Sequence, residues 1–433
     1  MRDNSARRVR YFPYAVIALL LAVLATGTAV NLDRNPQPQL VAEGITGRSG
    51  PVVVGTPIDS ADLSRPELIR AALADLDALT LPDGATLAGW DGPWRYVWPR
   101  DASFVAAARC SVGQYAEADK VLGFLAKIRP SSGRWGARYS APEGTEPRDG
   151  REPQLDGSGW VLWATWFCAE TRAKAGANTG AKAGATSGGN ADPALTPLAD
   201  YWPMVRESGD QIVAELGDDD LPAASPDYWE RPERNVTLGT IAPLITGLRS
   251  GLAIAKTLDR STEVTAWQDA ADRLSKATDR TFGPDYPRTP AEAVSFVEPG
   301  IEPIAIEGGA DAIVTILGPP FAPAREVVTK AIERTHKALS QPNGGVTPGE
   351  QWRTDGVAWT PQTALFALSA AARGDRGTAE ELLAWLDAHR TATGSLPEKV
   401  NRDVKPAGEA PLAWTTALVV LTASALDHPL PIP

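Results

Sequence analysis

Twelve stretches of this chain carry a helical hydrophobic period, and they alternate between charged on one face and apolar all round. They run over about 64–79, 101–111, 113–129, 156–174, 197–216, 236–257, 260–281, 308–317, 323–339, 360–373, 376–390 and 411–427, with little between them that reads as strand. The stretch 113–129 carries Glu117, Asp119, Lys120, Lys127 and Arg129, as an amphipathic helix with one wet face does. Stretches 260–281, 323–339 and 376–390 are similarly charged. By contrast, 236–257 has Arg249 and Lys256 as its only charges and 411–426 has none. A helix that is apolar all round has to be buried on every side. Twelve helices alternating in this way imply two concentric rings, six inside and six outside. The expected fold is therefore all-α, an (α/α)6 barrel occupying residues 61–433.

Such a barrel makes a geometric prediction. With successive helices antiparallel, every loop from an outer to an inner helix opens at one end. Those loops are Gly92 to Asp101, Pro153 to Gly157, Asp227 to Glu230, Glu298 to Glu307, Gly349 to Asp355 and Ser395 to Glu398. Nearly all segments dense in Trp, Arg and acids then fall on one face. The opposite connections, such as Gly113 or Gly374-Asp375, are short and bland.

Ahead of the barrel, Arg2, Arg7, Arg8 and Arg10 precede an uncharged apolar run from Tyr11 to Val30. About 20 apolar residues can span a bilayer, and positive charge before them keeps the N-terminus cytoplasmic. Residues 1–32 thus read as an N-terminal membrane helix or a signal peptide, cleavable near Gly27-Thr28-Ala29. Either way the body is expected outside the cytoplasm, joined by a Pro- and Gly-rich linker over 33–60. Residues 173–194 form a low-complexity insertion. The formal net charge of −11 and the lack of a long basic run argue against nucleic acid as a partner.

The rare residues narrow the chemistry. The histidines are His336, His389 and His428, a small stock for a metal site or a Ser-His-Asp triad. HExxH, GxSxG and phosphate-loop patterns do not occur. Acid–base work would then fall to carboxylates. Cys110 and Cys168 leave open a disulfide or two buried thiols. Tryptophan occurs 14 times, and nine of them, Trp90, Trp94, Trp98, Trp135, Trp160, Trp229, Trp352, Trp359 and Trp414, stand in loops or at helix starts. Aromatic faces there suit the C–H faces of sugars, although core packing explains any single one.

Hydrolysing a glycosidic bond takes a proton donor and a base, most often two carboxyls. Glu230 and Glu398 lie in loops on the expected common face. Tyr228 and Trp229 offer Glu230 an apolar surround that would keep it protonated, whereas a plain reading makes it an acid near a helix start. Glu398 follows the stiff Pro397, and its plain reading is a solvated acid beside Lys399. Arg100-Asp101 opens an inner helix, either as cap and ion pair or as a clamp on sugar hydroxyls.

Tyr96-Val97-Trp98-Pro99-Arg100-Asp101, Pro153-Gln154-Leu155-Asp156-Gly157, Asp227-Tyr228-Trp229-Glu230 and Glu398 followed by Pro411-Leu412-Ala413-Trp414 occur in that order. Together they resemble the motifs of the glucoamylase family of inverting glycoside hydrolases, glycoside hydrolase family 15, over roughly 85–427. The resemblance implies an (α/α)6 barrel, exo-acting and inverting, that releases glucose from α-glucans or small α-glucosides without metal or cofactor. It implies Glu230 as general acid and Glu398 as general base. Arg100 and Asp101 would hold the terminal glucose, with Trp98 and Trp229 as pocket walls and Tyr96, Asp227 and Trp414 as further motif residues at the site. The arginine usual ahead of the Glu350-to-Trp359 segment is replaced by Thr347, and Arg353 is the nearest candidate for its role. The linkage stays open among glucoamylase, trehalase and dextran or isomaltose enzymes. A non-catalytic surface glycan-binding protein is the alternative from another class. A lyase would need a Tyr or His base on this face.

Overall fold

The computed structural model of the chain describes residues 65–178, 195–290 and 308–433. The expected export segment, the linker, residues 179–194 of the insertion and the whole loop from Glu298 to Glu307 lie outside the described residues.

Among the described residues, eleven α-helices and one buried 3-10 helix fill the twelve expected places. The inner six are α2 (Pro99–Ser111), α4 (Asp156–Asn178), α6 (Leu238–Thr257), the 3-10 helix Ala312–Leu317, α9 (Thr360–Ala372) and α11 (Ala413–Asp427). Each packs on the next, and α11 packs back on α2, so the ring closes. The outer six are α1 (Pro66–Leu79), α3 (Tyr115–Ile128), α5 (Leu195–Glu215), α7 (Ser261–Phe282), α8 (Glu326–Leu339) and α10 (Arg376–Ala388). They lie against the inner helices beside them.

The sequence pattern explains the layering. Every residue of α2 is buried, and α9 is buried from Thr360 to Ala371. In outer α8 only Val328, Ala331, Ile332, Thr335 and Leu339 are buried, the three-to-four spacing of a single stripe. Helix α6, with a mean hydropathy of 1.4, is the one described helix long and apolar enough to cross a membrane. It is a stave of the inner ring, 89% buried over that window. Where α4 meets α6 the backbones touch. A Cβ on Gly159 would lie 2.2 Å from the Pro243 carbonyl oxygen, and one on Gly247 would lie 2.5 Å from Gly159 Cα.

Three outcomes were not legible beforehand. Cys110 and Cys168 form a disulfide that joins α2 to α4. It closes a 58-residue separation, which in the chain-entropy account constrains the unfolded state by about 4 kcal/mol. Helix α4 continues to Asn178, through the first residues of the supposed insertion. The helix expected over 308–317 is only a six-residue 3-10 turn. Its run Ile313-Val314-Thr315-Ile316 is β-branched and a weak helix former, Asp311 caps it through Ile313 N, and Gly318-Pro319-Pro320 ends it.

Candidate active site

A cavity of about 340 Å³ opens at the end of the ring where the inner helices begin, a size typical of small-molecule sites. Its walls come from four of the six expected loops or the helix starts after them, and from one residue just ahead of another. Trp94, Trp98, Arg100 and Asp101 come from the first, Arg151 stands two residues before the second, and Tyr228, Trp229 and Glu230 come from the third. Trp352 and Trp359 come from the fifth, and Glu398, Leu412 and Trp414 from the sixth. Both glutamates expected to carry the chemistry therefore face one space.

Pro99 sits in the first turn of α2, where its missing N–H costs nothing, and turns the next two side chains toward the cavity floor. Asp101 Oδ2 accepts from Arg100 Nε at 3.1 Å and pairs with Nη2 at 3.0 Å. The guanidinium stacks on Trp414, 4.6 Å from the ring centroid. Its Nη1 is buried without a hydrogen-bond partner and lies 3.5 Å from Glu230 Oε1. Burial raises the Asp101 pKa, and Glu230 adds to the rise while Arg100 opposes it. This is a charged, dry pair with one donor to spare.

Glu230 stands at φ 57°, a left-handed conformation that costs a residue with a side chain roughly 1 kcal/mol or more. Its N–H bonds the Asp227 carbonyl at 2.8 Å, which holds the turn. Trp98 Nε1 donates to Oε1 at 3.1 Å, and Arg151 Nη1 donates to Oε2 at 2.6 Å. The apolar surround expected from Tyr228 and Trp229 is thus corrected. The carboxyl faces two guanidiniums and an indole N–H, because Tyr228 and Trp229 turn inward instead.

They turn inward onto a buried arginine. Arg288 Nη2 pairs with Asp227 Oδ2 at 2.8 Å and Glu233 Oε1 at 2.6 Å, and Nη1 pairs with Asp311 at 2.8 Å. Its guanidinium lies 3.7 Å from the Trp229 ring centroid. Tyr228 donates its hydroxyl to Asp311 at 2.5 Å. Burial pulls the Arg288 pKa down, but Asp227 and Asp311 outweigh it and hold it well above the usual value.

Glu398 is 6% exposed. A three-stranded antiparallel sheet positions it: Ala358–Trp359 (β1), Lys399–Val400 (β2) and Pro406–Ala407 (β3), with Trp359 opposite Lys399. Thr360 N bonds the Glu398 carbonyl at 3.0 Å, and Glu398 N bonds the Glu409 carbonyl at 2.7 Å. Burial raises its pKa; Lys399, whose Nζ is 3.1 Å from Oε2, pulls the other way. Gly408, at φ 75°, leaves the carboxyl its room, since a Cβ there would lie 2.3 Å from Oε2.

Three expected site residues lie elsewhere. Asp227 is fully buried beneath the cavity, accepting from Thr237 Oγ1 at 2.7 Å and Trp229 N at 2.9 Å, so it braces the loop. Tyr96 packs edge-on behind Trp98 with centroids 6.2 Å apart, under Arg138. Arg353 is exposed and does not line the cavity. Its segment turns its tryptophan inward instead, with Trp352 meeting Trp229 at 4.9 Å between ring centroids.

Arg151, Arg288 and Asp156 join this neighbourhood without having been expected there, Arg151 in the cavity wall, Arg288 against Trp229 and Asp156 under the influence of Arg100 and Glu230. Asp156 stood inside a quoted motif without a role, and it is a fully buried carboxyl with a pKa of about 7. Burial is the main cause; Arg100 opposes it, and Asp227 and Glu230 add to it.

No protein-family model and no curated protein matches the chain. Solved structures do. A wild-type glycosidase aligns at 18% identity and TM-score 0.64, covering 86% of this chain and 99% of its own. A bacterial glucoamylase complexed with acarbose aligns at 17% identity and TM-score 0.67, covering 86% of this chain and 58% of its own. The glucoamylase of Saccharomycopsis fibuligera aligns at 13% identity and TM-score 0.61, covering 88% and 98%. The closed double ring is the fold of these glycosidases and glucoamylases.

Proposed function

We propose that the chain is a glycoside hydrolase that removes glucose from the non-reducing end of α-glucosides with inversion. One observation carries the reading: Glu230 and Glu398 line the same tryptophan-walled cavity, with the Arg100–Asp101 pair in its floor. The terminal glucose sits over that pair, which takes its hydroxyls at Asp101 and at the spare Arg100 Nη1. Glu230 gives its proton to the glycosidic oxygen, and the C1–O bond breaks with its electron pair going to that oxygen. Glu398 takes a proton from water, whose oxygen bonds C1 from the opposite face. A raised pKa suits a base that must take up a proton near working pH. The bacterial relative's complex with acarbose and a related glycosidase's complex with glucose support a glucoside as ligand. The apolar run from Tyr11 to Val30 is read as the export segment that carries the barrel out of the cytoplasm.

The test is a hydrolysis screen over maltose, isomaltose, kojibiose, trehalose and dextran, with proton NMR of the first product. β-Glucose should appear before its α-anomer. Initial α-glucose would mean retention with a nucleophilic carboxylate about 5–5.5 Å from the acid, and the division of roles would be wrong.

A further inference from the structure

An acid that protonates a leaving oxygen must present one carboxyl oxygen to it, yet both oxygens of Glu230 face donors. Those on Oε1 are fixed, since Trp98 and Arg100 are both buried. The donor on Oε2 is Arg151, whose side chain is 37% exposed at the cavity rim. Of the three, only Arg151 is free to yield, so Oε2 is the oxygen that serves the leaving group.

Once Arg151 yields and Glu230 is neutral, the rim holds a charge without a counterpart. Arg151 Nε keeps a contact of 3.4 Å to Asp149 Oδ2. That same oxygen already takes Arg138 Nη2 at 2.7 Å. Arg138 cannot retreat, because its Nη1 donates to the Pro93 carbonyl at 2.7 Å and its guanidinium lies 4.1 Å from the Tyr96 ring centroid. Two guanidiniums then share one carboxylate. With the terminal glucose over Arg100 and Asp101, the leaving group extends past Glu230 toward this rim.

We infer that the leaving group of the natural substrate carries a carboxylate, which takes the place of the Glu230 carboxylate on Arg151. This rests on the glycosidase reading and names the substrate class of the same site. The exchange is like for like. The planar guanidinium already holds carboxylate oxygens from Glu230 and Asp149, and its fork matches an incoming carboxylate. A substrate carboxylate draws Arg151 off Oε2 and frees that oxygen for the leaving group. A neutral leaving group has to break the same ion pair with nothing of equal strength to offer.

The experiment compares 2-(α-D-glucopyranosyloxy)acetate with its neutral amide, in the wild type and in Arg151→Gln. The wild type should favour the acetate by at least about tenfold in kcat/KM, the worth of one charge-assisted hydrogen bond. The preference should fall as salt rises and shrink to within about threefold in Arg151→Gln. A wild type that cleaves maltose or the amide as well as the acetate overturns the inference and leaves the glycosidase reading standing. A preference that survives in Arg151→Gln overturns it too. A wild type that cleaves no α-glucoside removes the reading itself.

Discussion

Gly408→Ala separates the fold from the site. Gly408 has φ 75°, so alanine there carries the left-handed cost of about 1–2 kcal/mol. The new Cβ would also stand 2.3 Å from Glu398 Oε2 and 3.0 Å from its Cβ, where ordinary contacts begin near 3.4 Å. The carboxyl has to give way by roughly 1 Å, and a 1 Å misplacement of a reacting group costs on the order of 10² in rate. Gly374→Ala is the control. Its φ is 82°, the backbone cost is the same, and a Cβ meets nothing within 4 Å in the turn between α9 and α10. Both variants should lose at most a few degrees of Tm by scanning calorimetry. Only Gly408→Ala should lose kcat, by about 10²-fold. Equal kcat in the two variants, within threefold, would refute the placing of Glu398 at the reacting centre.

Glu230→Gln and Glu398→Gln should each cut kcat by roughly 10²–10⁴ with KM nearly unchanged, and Glu230→Gln should still turn over α-glucosyl fluoride, whose leaving group needs no proton. Asp101→Asn should lower kcat/KM steeply while circular dichroism stays the same; an effect under about threefold removes it from the sugar clamp. A base must be ionised, so activity falls on the acid side as pH drops through the Glu398 pKa. Lys399 holds that pKa down, so Lys399→Met should move the acid limb of the kcat profile to higher pH, and an unmoved limb counts against Glu398. Asp156 has its folded pKa raised to about 7, so it binds more protons folded than unfolded, and stability is lost as pH rises from the usual carboxylate range through 7. Asp156→Asn should therefore flatten part of the fall in Tm between pH 5 and 8; an unchanged slope means the carboxyl is not held neutral.

The helices were legible because an inner stave and an outer stave differ in every turn. Most of their ends fall within a few residues of the expected ones. The 3-10 helix was not legible, since six residues without a charge, β-branched or apolar throughout, show no period that tells 3.0 residues per turn from 3.6. At the site, the residues inside compact motifs were readable: Trp98, Arg100, Asp101, Glu230 and Glu398 all line the cavity. Residues whose role depends on a distant partner were not. Arg288 meets Asp227 across 61 residues and Arg151 meets Glu230 across 79, with no local pattern announcing either. Tyr96, Asp227 and Arg353 lie off the cavity for a related reason. Nearness to a motif glutamate or a tryptophan in the chain says nothing of which way a side chain turns.

A ring has a last joint, and here the joint runs through the site. Ala413 N bonds the Ala88 carbonyl at 2.8 Å, and Glu409 Oε1 takes the N–H groups of Trp90 and Asp91 at 2.6 and 3.0 Å. Those contacts tie the end of the chain to the start of the barrel more than 300 residues earlier, and loop closure of that length comes late in folding. Until it forms, Glu398 and Trp414 have no Arg100 and no Glu230 to face. A barrel missing its final hairpin can be largely helical and still have no pocket, so turnover reports completion of the circle where helix content does not. The same seam makes the C-terminal helix a natural place for quality control, since a protease or chaperone that meets it unpaired has met a molecule whose ring is still open.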